Sequence, residues 1–526
     1  VAFVLIGFMG AGKSTVAAQL AATLGGRALD SDALLGQRLG HSIAHEFETR
    51  GEASFRAAEE QVVRELLAGA GSRDVVALGG GSVLSDSVRA ALAQHLTLLL
   101  EVEPGLAWER VQSSSEGAER PLARDFDAFL ALHRQRRELY EQLADAVLLW
   151  AESSSSSGAG AYPVLIGRGL LASGRERRLA EIWPLDRARS RPFLVSDHTV
   201  SELYAPRLQE VLAGTDPIAI APGESHKTLA GAERVWSELV SAGMTRADHL
   251  IALGGGVVGD LAGFCAATYQ RGVPVVHIPT TLVAQVDSAY GGKTGVDLPD
   301  AKNYVGAYHQ PAAVLVDPDT LSTLPAAELA AGWVEALKTA LIAGGELWER
   351  VSQSDGREVD ERTIRACAAT KLAIVAADER DAGARQVLNL GHTVGHAIET
   401  ATGYRRYRHG EAVGLGLLAA LRLSGAEQLR AQVRELLLAR ELPVTLHGAG
   451  GGEGAGGDDG RGGGEGGGGG ASVDLEEILT AVARDKKRLG TGGVPFVLLS
   501  EPGEPRIGCR VPEDELRNAV TELISP

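Results

Sequence analysis

Cysteine is scarce in this chain of 526 residues: Cys265, Cys367 and Cys509 are the only three, widely and irregularly spaced. That excludes a disulfide scaffold and a cysteine-type metal knuckle, and the three read as small apolar residues. No long basic block occurs, and 51 Lys and Arg face 68 Asp and Glu, a formal net charge of -17. Nucleic acid is therefore not an expected partner. Anionic small-molecule substrates stay open, because a few inward-facing cations can bind them beneath an acidic exterior. No run is long and apolar enough to span a membrane, so no membrane partner is expected. The opening VAFVLIG is short, lacks a basic leader and enters a glycine loop directly, so it reads as a first strand and not a signal peptide. A cytoplasmic protein is the expectation. No internal repeat is evident.

What is present is a chain too long for one core, with two to four domains expected. Two low-complexity stretches punctuate it. AESSSSSGAGA, residues 151–161, has nothing to bury and reads as a flexible linker that couples its neighbours loosely. The Gly-rich insert, residues 447–471, would lose too much backbone entropy on packing and reads as disordered. Residues 1–150 alternate strand-like VAFVLIG, DVVALGG and LTLLLEV with helical stretches, the order of an α/β domain with a parallel sheet. Residues 162–320 repeat that alternation with PFLVSD, HLIALGG, VPVVHIPT and AAVLVD. Residues 321–526 are expected to be helical.

The first glycine loop, GFMGAGKST from Gly7 to Thr15, satisfies the phosphate-loop pattern between a strand and a helix. Gly10 and Gly12 let backbone N–H groups turn toward phosphate oxygens, and the helix N-terminus adds its dipole. Lys13 is placed for the terminal phosphates and Ser14 for Mg²⁺. Asp30 and Asp32 form an Asp-x-Asp pair at the end of a second strand, sharing one face. One is suited to the metal and one to a hydroxyl, although an Asp near a helix start serves equally well as a cap.

GFMGAGKST, DSD, GEASFRAAEE, ALGGG, ERPL and RQRRELY follow in an order that resembles shikimate kinase. The resemblance implies ATP with Mg²⁺ held by Gly10, Gly12, Lys13, Ser14, Thr15 and Asp30, with Arg110 near the adenine. It implies Asp32 as the group that binds and orients the shikimate hydroxyls, and Arg56 and Arg136 as a clamp on its carboxylate. Gly79, Gly80 and Gly81 would line the pocket, and Arg120 would come down from the lid, whose SSSEGAERPLARD is Ser-rich and short. A planar guanidinium matches a carboxylate with two parallel hydrogen bonds, which suits these Arg assignments.

Farther on, IALGGGVVGDLAGF ends a buried strand in Gly254, Gly255 and Gly256, which permits close approach of a pyrophosphate without matching GxGxxG. Arg271, Asp287 and Lys293 are candidates to converge on an anion. In the helical half, Glu335, His392 and His409 make a Glu-His-His set of the kind that holds catalytic zinc with an open position. His392 and His396 lie four apart on one helix face, so both are ligands, or one is a ligand and the other a catalytic group.

GGGVVGDLAGF, PTTLVAQVDSAYGGKTGV, KNYVGAYHQP, WVEALK, RQVLNLGHTVGHAIE, HGEAV and DKK together make residues 162–525, apart from the glycine insert, similar to 3-dehydroquinate synthase. The resemblance implies an α/β nucleotide-binding domain followed by an all-helical metal-binding domain. It implies NAD held by Asp260, Thr280, Thr281, Lys302 and Gly256, with Glu224 and Lys227 at the adenosine end. The metal, Zn²⁺ or Co²⁺, would be held by Glu335, His392 and His409, with His396 as a nearby catalytic group. Arg271, Asp287, Lys293, Asn303, Lys338, Lys371, Arg385 and Lys486 would surround 3-deoxy-D-arabino-heptulosonate 7-phosphate. A homodimer through this half is also implied. The competing expectations are a cyclase acting on sedoheptulose 7-phosphate and a metal-dependent polyol dehydrogenase. A kinase of the shikimate pathway in the same chain favours the synthase.

Overall fold

Short runs of β-branched and leucine residues become the strands of one large sheet. The computed structural model describes all residues except 114–124, 152–160, 173–175, 187, 213–215, 300, 355–358, 447–473, 489–494 and 525–526, and the side chains of 176–178 and 484–488. Residues 114–124 of the expected lid, the interior of the serine linker and the glycine insert therefore lie outside the described residues. The chain forms two compact units, residues 1–280 with 292–320, and residues 281–291 with 321–526.

The first unit contains β1 (Phe3–Ile6), β2 (Ala28–Asp30), β3 (Val75–Ala77), β4 (Leu96–Leu100), β5 (Ala146–Ala151), β6 (Tyr162–Ile166) and β7 (Pro192–Asp197). It continues through β8 (Ile218–Ile220), β9 (His249–Gly254), β10 (Val275–Pro279), β11 (Lys293–Leu298), β12 (Ala301–Tyr308) and β13 (Ala313–Val316). Eleven of these form one sheet in the order β2-β3-β1-β4-β5-β6-β13-β10-β9-β7-β8, while β11 and β12 make a separate antiparallel hairpin. The fully buried strands read as near-continuous apolar runs because helices cover both faces of a parallel sheet.

The sheet corrects the expectation of loosely coupled domains. β5 and β6 stand on either side of the serine linker and pair antiparallel from Ala151–Tyr162 to Val147–Ile166. Every other contact between neighbouring strands of this sheet is parallel. The linker composition concealed this because the pairing is made by its flanks, AVLLWA and YPVLI, which are apolar and without a single charge.

In the second unit the helix Ala326–Ala343 is buried continuously from Ala331 to Ile342, as an all-round apolar sequence requires. Helices Glu361–Ala377, His392–Ala401, His409–Leu423, Glu427–Leu438 and Leu475–Arg488 accompany it. A small antiparallel hairpin, β14 (Pro495–Leu499) with β15 (Pro505–Arg510), joins these helices. Two glycines set how closely the histidine-bearing helices meet. A Cβ on Gly395 would stand 3.1 Å from the Ala412 carbonyl oxygen, and one on Gly416 would overlap the Gly391 carbonyl. Any larger residue there would push His409 away from His392.

Candidate functional sites

The phosphate loop runs from β1 into the helix Lys13–Leu24, with Gly7, Gly10 and Gly12 at φ 145°, 79° and 86°. Only glycine takes these angles without strain. Lys13 Nζ donates to the carbonyls of Gly7 and Phe8 at 2.9 and 3.0 Å, folded over the loop it would share with a phosphate. Thr15 sits beside it on the first helical turn. The Arg110 guanidinium lies next to Gly12.

Asp30 takes both roles that its position allowed. Oδ1 caps the helix Ser31–Leu39 by accepting from the Asp32 and Ala33 N–H groups, and Oδ2 accepts from Ser14 Oγ at 2.5 Å. The Ser14 and Asp30 oxygens therefore stand together at the mouth of the loop, a hard-oxygen pair that fits Mg²⁺.

Behind β3, Gly79, Gly80 and Gly81 form a cradle with no room for side chains. Asp32 occupies the space where a Gly79 Cβ would stand, and Arg56 does so at Gly81. Arg56 Nη1 pairs with Glu59 Oε2 at 2.6 Å, and Glu59 Oε1 accepts from Ser82 Oγ at 2.8 Å. Arg136 Nη1 and Tyr140 Oη both donate to the Gly80 carbonyl, at 3.3 and 2.5 Å. Burial pushes the Tyr140 phenol up. A Gly80 Cβ would also come 3.4 Å from the Met9 nitrogen, so cradle and phosphate loop adjoin. Asp32, Arg56 and Arg136 are thus brought together, whereas Arg120 lies outside the described residues. Glu59 and Tyr140 were not anticipated. Their signal is helical spacing, three from Arg56 and four from Arg136.

A second cluster gathers in the same unit where β9 meets the helix Gly256–Thr268. Gly254, at φ 159°, has no room for a Cβ against Val258. The buried Thr280 hydroxyl has no hydrogen-bond partner, while the Thr280 N–H donates to the Gly254 carbonyl at 3.0 Å. A glycine turn, a helix N-terminus and an unsatisfied hydroxyl suit a pyrophosphate. Lys227 Nζ lies 2.8 Å from Glu224 Oε1, 3.2 Å from Asp260 Oδ2 and 2.8 Å from Asn303 Oδ1. Lys302 approaches Glu224 at 3.6 Å. Burial raises Asp260 to about 6 against the opposing charge of Lys227. Lys227 is itself raised, because Asp260 and Glu224 outweigh its burial.

Asn303, expected among the substrate residues, meets Lys227 of this cluster, with φ 55° and its N–H donating to Asp297 Oδ1 at 2.7 Å. Lys293 is exposed at the opposite end of the β11–β12 hairpin, paired in register with Tyr308. Arg271 is exposed as well, in a segment where Gln270 and Arg271 both have positive φ, 47° and 69°.

In the second unit, Oε1 of the buried Glu335 faces His409 Nε2 at 3.3 Å and His392 Nε2 at 3.6 Å and has no hydrogen bond. His392, His396 and His409 bring one ring nitrogen each within 4.8 Å of one another. All four candidates therefore meet, and the two-ligand or one-ligand choice for His392 and His396 stays open on geometry. Their partners favour a metal held by Nε2. His392 Nδ1 lies 3.2 Å from the Leu390 carbonyl, and His409 Nδ1 lies 3.3 Å from Glu399 Oε2. Such contacts hold an imidazole in one tautomer, with the other nitrogen turned to the ion. Glu399 was missed in the sequence, although it ends the same HTVGHAIE stretch. Burial, with Lys338 nearby, pushes His392 down to about 3, whereas Glu335 and Glu399 raise His409 despite its burial.

Lys338 Nζ lies 2.6 Å from Glu335 Oε2 and 3.8 Å from Asp287 Oδ1, and Lys371 Nζ donates to Asp287 Oδ1 at 2.8 Å. Burial opposes the charge on Asp287, but the two lysines hold it down at about 2. Burial lowers Lys371. Arg385, 2% exposed, donates to the carbonyls of Glu379 and Gly291 at 2.8 and 3.1 Å, and its Nε has no partner. Thr281 Oγ1 accepts from the Ala284 N–H at 3.4 Å. Lys486 is on the helix Leu475–Arg488, with its side chain outside the described residues. Among the described residues, no helix is long and apolar enough to cross a membrane.

Three family models match separate stretches in chain order: shikimate kinase over residues 9–162, 3-dehydroquinate synthase N-terminal over 217–331, and 3-dehydroquinate synthase C-terminal over 332–488. The chain is 39% identical to the 3-dehydroquinate synthase of Gloeobacter violaceus over 361 residues, covering 66% of this chain and 92% of that protein. It is 40% identical to that of Symbiobacterium thermophilum over 375 residues, covering 68% and 96%. Among solved structures, a 2-deoxy-scyllo-inosose synthase with carbaglucose-6-phosphate, NAD⁺ and Co²⁺ shares the fold at TM-score 0.59 and 21% identity, covering 72% of this chain and all of that one. The 2-epi-5-epi-valiolone synthase ValA of Streptomyces hygroscopicus, with NAD⁺ and Zn²⁺ bound, is similar at TM-score 0.55 and 26% identity, covering 69% and 96%.

Proposed function

We propose how this chain works from a premise its relatives establish: it belongs to the 3-dehydroquinate synthase family and carries a shikimate kinase region ahead of that part. It is a bifunctional enzyme of the shikimate pathway, serving chorismate and aromatic amino acid biosynthesis. One activity phosphorylates shikimate with ATP. The other converts 3-deoxy-D-arabino-heptulosonate 7-phosphate to 3-dehydroquinate and phosphate. The observation that carries the second is the unsatisfied Glu335 Oε1 facing the Nε2 atoms of His392 and His409.

In the kinase region, Arg56 and Arg136 bind the shikimate carboxylate at the glycine cradle, with Glu59 and Tyr140 holding the cradle in shape. Asp32 orients the attacking hydroxyl and takes up its proton at a carboxylate oxygen. Lys13 turns from the Gly7 and Phe8 carbonyls to the nucleotide phosphates, beside Thr15 and Arg110. Ser14 and Asp30 would hold Mg²⁺, and Arg120 would close on the phosphates. Fixed positive charge is what a transferring phosphoryl group requires.

In the synthase part, Gly256, Asp260, Thr280, Thr281, Lys302, Glu224 and Lys227 would hold NAD, and Glu335, His392 and His409 would hold Zn²⁺ or Co²⁺. When bound, these supply a reversible hydride acceptor and a Lewis acid. Arg385, with an unpartnered buried Nε, reads the substrate carboxylate by bidentate pairing. Lys338 and Lys371, paired with Asp287, bind substrate oxygens, and His396 moves a proton at the exposed edge of the histidine group. Arg271, Lys293, Asn303 and Lys486 complete the anion-binding set, with Asn303 doing so from the Lys227 cluster. A homodimer through the synthase part and a cytoplasmic location complete the reading.

The test is phosphate release from 3-deoxy-D-arabino-heptulosonate 7-phosphate with catalytic NAD⁺, with and without chelator, beside sedoheptulose 7-phosphate. Release from the first alone, lost on chelation and without net NADH, is the expected result. Release mainly from the second would reassign the synthase part to another cyclase. ADP formation from ATP with shikimate tests the kinase separately.

A further inference from the structure

β5 and β6 are each flanked on both sides. β4 pairs parallel with β5, β5 pairs antiparallel with β6, and β6 pairs parallel with β13. Take away either side and the other becomes a sheet edge. Exposed edges are normally blunted by charge, bulges or proline, because an open row of N–H and C=O groups recruits other chains. AVLLWA and YPVLI carry no charge, and their pairing runs without a register shift. Pro163, opposite Trp150, lies outside the Val164–Ile166 stretch that pairs with β13. β5 carries none of these devices, and β6 carries only Pro163 at its start, which leaves Val164–Ile166 an unprotected edge.

The side chains agree with the backbone. Leu148 and Leu165 are buried in one core with Leu98 and Leu100 from before the linker and Leu179, Ile182 and Trp183 from after it. Val147, Val164 and Ile166 are equally buried. Arg73 and Asp186, from the two sides of the linker, form an ion pair at 3.3 Å. By contrast, Leu35, Phe55 and Val62 form a separate small core made of kinase residues alone.

We infer that the kinase region is a structural part of the synthase: β5 covers the edge that β6 would otherwise expose, and the regions on both sides of the linker unfold as one cooperative unit. This rests on the strand pairing and shared core, not on either activity. The occupant of the β6 edge is the preceding segment of the same chain, with the covalent linker needed only to deliver it.

The test begins with a protease site inserted between Ala151 and Ala161 and cut in the purified full-length protein. The two fragments are expected to co-elute in gel filtration at micromolar concentration and to separate only in denaturant. Separation in native buffer overturns the inference, whatever the state of either activity. Val62→Ala then perturbs the kinase-only core, with Leu35→Ala as a second variant. Each is expected to lower the temperatures at which kinase and synthase activities are lost by the same few degrees. A fall in the kinase temperature alone, in both variants, overturns the cooperative unit.

Discussion

The glycine cradle of the kinase region and the histidine cluster of the synthase part hold their charges in opposite ways. At the mouth of the cradle Asp32 is exposed and Arg56 is about a quarter exposed, positioned by a helix cap, neighbouring carboxylates and backbone that leaves no space for a Cβ, while Arg136 and Glu59 lie buried behind them. Glu335 and Lys338 are 1% exposed, and each depends on the other. A site assembled in solvent exchanges water for substrate with little change in its own charge balance. A buried one must be nearly neutralised before substrate arrives. The consequence is that a charge change at the exposed Asp32 should cost turnover, whereas one in the cluster should cost turnover and fold together.

Glu335→Gln breaks this comparison most severely. It leaves Lys338 without its closest carboxylate, and unfolding in denaturant is expected to show a loss of roughly 3–5 kcal/mol in the second unit. Synthase activity should disappear, and a variant that kept both stability and chelator-sensitive turnover would refute the assignment. Asp32→Asn is the counterpart. Shikimate phosphorylation should fall by about 10²–10⁴ in kcat with unchanged melting and unchanged synthase activity. Equal damage to stability would show that the cradle is not the solvent-built site described.

The pH response sharpens the contrast within the first unit. Burial pushes His249 and His277 down to about 4 from the usual 6.5, with the neighbouring His309 adding to the effect at His277. Both are neutral in the folded protein above that range and bind protons more readily when unfolded. Stability is therefore full above about pH 6.5 and falls as pH drops toward 4, by up to roughly 1.4 kcal/mol per unit for each group. Urea titrations across that window should show the slope, and His249→Asn should reduce it by about half, leaving the His277 contribution. Asp287, depressed to about 2, adds a loss in the second unit only below about pH 4, as pH falls through its folded value.

Smaller effects come from groups that orient others. Glu399→Gln should weaken metal binding about 10–100-fold in a chelator competition, because His409 loses the carboxylate at Nδ1. Unchanged affinity would leave Glu399 a mere core residue. Tyr140→Phe removes one hydrogen bond to Gly80, worth about 1 kcal/mol, and should raise the shikimate KM several-fold while kcat holds. A change in kcat alone would argue against a role in shaping the cradle.

Local pattern carried much of this protein. The phosphate loop, the Asp30-x-Asp32 pair and the strands at Val75, Leu96, His249 and Val275 are legible because turn chemistry and periodicity are properties of neighbouring residues. Glu335, His392 and His409 were nameable as ligand types. What escaped were contacts made at a distance. Asn303 joins Lys227 because the hairpin carries it there. Glu399 faces His409 because Gly395 and Gly416 bring two helices together. Asp30 is both cap and partner of Ser14, where spacing alone offered a choice.

The sequence by itself thus determined which chemistries the chain contains, since a phosphate loop or a Glu-His-His set is written in residue type and spacing. Only the tertiary structure decided how the pieces are joined. A serine-rich stretch describes its own entropy and says nothing of its flanks. Whether β5 meets β6 depends on two apolar edges that satisfy each other's backbone, a relation no local composition can express.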